Sequence, residues 1–64
     1  MPVIRVEMFK GRTPEQKRDM VKEITEAFVR TAGGTPEPVH VVITDVEKSD
    51  WAVGGVLASD PSPK

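Results

Sequence analysis

The chain has 64 residues, with nine Lys/Arg against ten Asp/Glu, one histidine and no cysteine. This composition excludes a disulfide framework and a thiolate metal site, surrounds the lone imidazole with no suggestive carboxylate spacing for zinc, and lacks the basic tract that follows a nucleic-acid backbone. Apolar runs of only a few residues exclude a membrane span and a secretory signal, so a single cytoplasmic domain over residues 1–64 is expected.

A domain of this size buries only about 60% of its unfolded surface, and without a staple it depends on assembly for stability. The first segment, MPVIRVEMFKGR, is rich in β-formers from Val3 to Phe9. Pro2, Ile4, Val6 and Met8 fall on one apolar face, which predicts a strand. Gly11 and Arg12 make a turn. In the TPEQ that follows, Thr13 is placed as an N-cap, Pro14 at the first helical position, and Gln16 where it completes a capping box. Met20, Ile24, Ala27, Phe28 and Thr31 recur at the spacing of one helical face, while Lys17, Lys22, Glu26 and Arg30 form the wetter side. Gly33 and Gly34 supply the backbone freedom that stops a helix.

TPEP gives a short turn, and Val39–Val46, β-branched almost throughout, predicts a second strand. Two strands joined by one long helix imply a right-handed crossover and parallel pairing. Beyond it, Gly54-Gly55 sits between short apolar pieces and predicts a small hairpin, with residues 60–64 as a loose tail. The expected fold class is α+β: a β-α-β protomer with parallel strands and a short C-terminal hairpin. Such a protomer leaves one sheet face and two strand edges bare, and partner chains are expected to cover them.

Pro2, then FKGRTPEQK at Phe9–Lys17, VVITDV at Val41–Val46 and WAVGGVLAS at Trp51–Ser59, occur in an order that closely resembles the 4-oxalocrotonate tautomerases (2-hydroxymuconate tautomerases) of the tautomerase superfamily. The resemblance spans nearly the whole chain. It implies a tautomerase-like homo-oligomer, a hexamer built as a trimer of dimers, with active sites shared between chains. It also implies an isomerase that needs no cofactor or metal and acts on a small carboxylate substrate. On this resemblance Pro2 is the general base, Arg12 binds a substrate carboxylate from a neighbouring chain, and Trp51 stands in the apolar wall where the family often has phenylalanine. His40 stands where well-studied members carry a second arginine.

The residues themselves can be read two ways. If Met1 is removed, Pro2 becomes a secondary amine, and apolar surroundings with nearby cations disfavour its charged form, which suits a base working near neutral pH. If Met1 is retained, the same nitrogen is an amide without basicity, and Pro2 merely starts an edge strand. Arg12 is either a solvated turn residue or a fork that grips a carboxylate and stabilises enolate charge. Trp51 lies in a segment too short to bury an indole within one protomer, which places it at an interface pocket. His40 is either a half-buried structural residue or a donor to a keto oxygen; an imidazole cannot reproduce the arginine fork. Arg5, on the other face of the first strand, is a candidate replacement cation.

Three functions follow: a keto–enol or double-bond isomerase; a proline-dependent hydratase, dehalogenase or conjugate-addition enzyme; and a noncatalytic assembly module. Hydration needs a water-activating carboxylate, for which the DWAV stretch offers only Asp50.

Overall fold

Thr13 fixes where the helix begins, and the helix fixes how the rest of the chain is laid out. In the computed structural model, which describes residues 1–61, Thr13 is extended at φ −74° and ψ 160°. Its hydroxyl accepts the Gln16 N–H at 3.1 Å, and the Gln16 carboxamide oxygen accepts the Thr13 N–H at 2.9 Å. Two otherwise orphaned donors are thereby satisfied, and Pro14 occupies a position where its missing N–H costs nothing. The resulting helix, α1, runs Pro14–Ala32. It ends where Gly33 and Gly34 both take positive φ, 91° and 90°, with the Gly33 N–H returning to the Val29 carbonyl at 3.0 Å.

Strand β1 (Val3–Phe9) pairs in parallel with β2 (His40–Val46), in a register running from Val3↔His40 to Phe9↔Val46. The ladder is extended by His40 N–H to the Pro2 carbonyl at 2.9 Å and by Lys10 N–H to the Val46 carbonyl at 3.0 Å. The sequence pattern starts the second strand at Val39, one residue early. Val39 N–H is instead spent on the Pro36 carbonyl at 3.1 Å, inside the turn, so the ladder opens with His40.

Ile4, Val6 and Met8 are half-buried and share a face with Val41 and Ile43. The helix lies over this face and is tied to it by the Lys17–Asp45 ion pair. Its half-buried residues include the expected Met20, Ile24, Ala27 and Phe28, and also Val21, Thr25 and Val29, so the apolar stripe is wider than the spacing predicts. Thr31 is exposed, and its hydroxyl donates to the Ala27 carbonyl at 2.7 Å. The opposite sheet face carries Val3, Arg5, Glu7, His40, Val42 and Thr44, all exposed. Val3 keeps 45% and Val42 39% of its surface, and no side chain among the described residues is fully buried.

After β2 comes a 3₁₀ turn at Lys48–Asp50, then β3 (Ala52–Val53) paired antiparallel with β4 (Val56–Leu57). Gly54 and Gly55 take φ 62° and 83° between them, the two consecutive left-handed residues that a tight hairpin turn of this hand demands. Asp60 N–H closes onto the Leu57 carbonyl at 3.0 Å. The expected loose tail runs on into residues 62–64, which lie outside the described residues.

Because the capping box is closed on both sides, Thr13→Ala should cost about 1 kcal/mol. Urea unfolding at one fixed protein concentration measures this, since the stability of an assembling chain depends on concentration.

Candidate active site

The side chains singled out in the sequence fall into two groups at opposite ends of β1. At its amino end, Pro2 is half-buried and joins the ladder through its carbonyl alone, accepting the His40 N–H at 2.9 Å. His40 is exposed, opposite Val3, on the sheet face that also carries Arg5; Arg5 pairs in register with Val42, two positions further along. Pro2, His40 and Arg5 are thus brought to one end of the sheet by register, with Pro2 and His40 bridged by a backbone hydrogen bond.

At the carboxyl end of β1, Gly11 takes φ 137° and turns the chain toward the helix, leaving Arg12 exposed between strand and cap. One terminal guanidinium nitrogen of Arg12 donates to the Phe9 carbonyl at 3.3 Å, which anchors the side chain while leaving its remaining donors free for an anion. Phe9 meets Trp51 edge to face, with ring centroids 4.9 Å apart and planes at 62°. The Lys48 ammonium lies 5.7 Å from the centre of the Phe9 ring. Lys10, at the same end, is paired with Glu47 at 3.1 Å.

Trp51 is half-buried with Phe9 as its partner, so one chain already shelters part of the indole. Phe9 and Lys48 have no site role in the sequence reading. Strand alternation sends Phe9 to the exposed face, yet it is half-buried, with Trp51 from a later loop and Lys48 both standing against its ring. The odd-position aromatic just before KGR was the available signal; Lys48 gave none.

Seven residues of strand at about 3.3 Å each separate the two groups by roughly 20 Å. A small acid cannot span that distance within one chain. No group of three or more His, Asp or Glu side chains among the described residues is arranged to hold a metal ion.

The family model for the tautomerase enzymes matches residues 2–60, a span that includes both groups. The chain belongs to the tautomerase family. A probable tautomerase of Staphylococcus epidermidis is 47% identical over 60 residues, covering 94% of this chain and 98% of that one. The crystal structure of YwhB, a homologue of 4-oxalocrotonate tautomerase, superposes with a TM-score of 0.90 at 41% identity, covering 95% of this chain and all of that one (100%). A heterohexamer 4-oxalocrotonate tautomerase from Chloroflexus aurantiacus J-10-fl superposes with a TM-score of 0.87 at 27% identity, covering 94% of this chain and 97% of that one. The β-α-β protomer with its parallel strand pair and antiparallel C-terminal hairpin is therefore the tautomerase protomer fold.

Within this tautomerase, the Phe9–Trp51 contact can be checked directly, because Trp51 is the chain's one tryptophan. Phe9→Ala removes the ring that covers the indole, so Trp51 emission should shift to the red and stability should fall by about 1–2 kcal/mol. Unchanged emission would mean that the indole is sheltered by something other than Phe9.

Proposed function

We propose that this tautomerase is a cofactor-independent isomerase that moves a proton within small unsaturated 2-hydroxy or 2-keto acids, using Pro2, freed by removal of Met1, as general base. The observation that carries the reading is the placement of two chemically complementary groups at opposite ends of β1, each half of what proton transfer to an acid needs. Assembly of several copies as a hexamer, a trimer of dimers, would bring the Pro2–His40 end of one chain to the Arg12–Trp51 end of another. The heterohexameric relative from Chloroflexus aurantiacus supports an assembly of that size. No helix among the described residues is long and apolar enough to cross a membrane.

In this reading the Pro2 nitrogen takes the proton from the enol hydroxyl of the substrate, and the resulting prolinium returns it to a carbon of the conjugated system. The net change is a relocated proton and double bond, with nothing gained or lost. Arg12 holds a carboxylate through donors not used on the Phe9 carbonyl. Phe9 and Trp51 form an apolar wall beside the conjugated carbons, and a less polar surrounding strengthens every charge interaction with the intermediate enolate. His40 donates a single hydrogen bond to the keto oxygen.

Mass, assembly and the kinetics of single variants test this. Intact mass of the protein from its native source should lack the mass of Met1, and light scattering should give a hexamer; a stable monomer at micromolar concentration would end the shared-site reading. Pro2→Ala, which leaves a primary amine, should lower kcat by about tenfold or more without changing assembly, whereas Arg12→Ala should act mainly through KM for carboxylate substrates. His40→Arg restores a fork able to make charge-assisted contacts worth about 1.5–3 kcal/mol, or roughly 10- to 150-fold. It should therefore raise kcat/KM for 2-hydroxymuconate more than for the enol of an arylpyruvate, and equal effects on the two would place His40 outside the site.

A further inference from the structure

Four cationic side chains gather around the carboxyl end of β1, and their charges are not in the same state. Lys10 is neutralised by Glu47 at 3.1 Å, and Lys17 by Asp45. Arg12 and Lys48 have no carboxylate partner within ion-pair distance among the described residues, Asp50 on the same 3₁₀ turn as Lys48 included. Both are exposed, and both are anchored on Phe9: Arg12 by a hydrogen bond to its carbonyl at 3.3 Å, Lys48 by standing 5.7 Å over its ring. A cation held on an aromatic face is oriented while its charge stays available to an anion, since the ring quadrupole attracts the ammonium without neutralising it.

We propose that Lys48 is a specificity-determining residue that joins Arg12 in holding the distal carboxylate of a dicarboxylate substrate. The inference rests on the reading of this end as the acid-binding half of the site. An elongated conjugated diacid lies with its carbons along Phe9 and Trp51, its far carboxylate between the guanidinium and the ammonium, and its 2-hydroxy end directed to Pro2 and His40 of a neighbouring chain. With one fork replaced by an imidazole at position 40, the second full positive charge for a dianion comes from the opposite end of the substrate. The chain then selects among acids by what they carry far from the reacting carbons. A lysine offers a point charge rather than a planar fork, so Lys48 contributes attraction and Arg12 contributes geometry.

The test compares two dienols identical at the reacting end: 2-hydroxymuconate, with a distal carboxylate, and 2-hydroxypenta-2,4-dienoate, without one. Lys48→Gln should raise KM for the diacid about tenfold and for the monoacid about twofold, with kcat for both changed less than about twofold; one partly screened charge-assisted contact has this size. Lys48→Arg should restore most of the loss, and the gap between wild type and Lys48→Gln should shrink as salt rises. Equal effects on both dienols, a loss confined to kcat, or no rescue by arginine would overturn the proposal.

Calorimetric binding of trans,trans-muconate, which needs no turnover, gives a second arm. Lys48→Gln should weaken it about tenfold, in step with Arg12→Ala. If Arg12→Ala weakens muconate and Lys48→Gln does not, the role of Lys48 fails while the acid-binding reading stands. If neither change weakens it, both fail together.

Discussion

A parallel pair of strands is stable in water only when both of its faces are covered, and this chain supplies one helix for two faces. Everything else in the protomer is arranged around that shortage. On the covered side, the capping box starts the helix at a defined residue, the Lys17–Asp45 pair holds its first turn to the end of β2, and the apolar stripe widens to include Val21 and Val29. On the other side, Val3 and Val42 lie bare beside Arg5, Glu7, His40 and Thr44. A mixed face of this kind is too charged to be an ordinary core, yet it leaves two valines in water.

The same shortage bears on the proposed chemistry. A longer chain could fold a base and an anion-binding fork into one pocket; here Pro2 and Arg12, the residues proposed for those two roles, are held apart by the full length of β1. Rigidity is an advantage for a site, because a contact built on a strand end is held more closely than one built on a free loop. The aromatic pair extends that rigidity to the carboxyl end. Phe9 terminates the strand, Trp51 packs on its ring from the segment after β2, and Arg12 is fastened to its carbonyl, so the strand end, the turn after it and a later segment are joined at one residue.

Much of this was legible in the residues. The limits of β1 and α1, the Thr13–Gln16 box and the Gly54-Gly55 turn all depend on local rules, in which a residue's own side chain or backbone freedom decides its conformation. The places where the pattern misled are those where a particular hydrogen bond, or a partner far along the chain, overrides spacing and propensity. Val39 is an excellent strand former, but the turn at Pro36 claims its N–H first. Thr31 has the right spacing for the apolar stripe, yet its hydroxyl finds the Ala27 carbonyl and the residue stays in water. Phe9 alternates to the open face and is covered by a tryptophan forty-two residues later, which no window of the sequence contains. The grouping of Pro2 with His40 likewise follows from register, and the position of Lys48 over the Phe9 ring from a 3₁₀ turn that the pattern does not announce.

The bond between His40 N–H and the Pro2 carbonyl bears on the proposed removal of Met1. Proline enters the ladder as an acceptor only, so its nitrogen owes the sheet nothing. Met1, 85% exposed, contributes little packing of its own. Cutting the peptide bond between them therefore breaks no ladder contact and leaves the strand's first rung in place, while an amide becomes an amine. Any other residue at this position would have carried an N–H into the same backbone, with its own hydrogen-bonding demand. The identity of residue 2 thus leaves the first rung of the ladder indifferent to Met1: on the proposed role of Pro2, its nitrogen could be freed without any rearrangement of the strand pair.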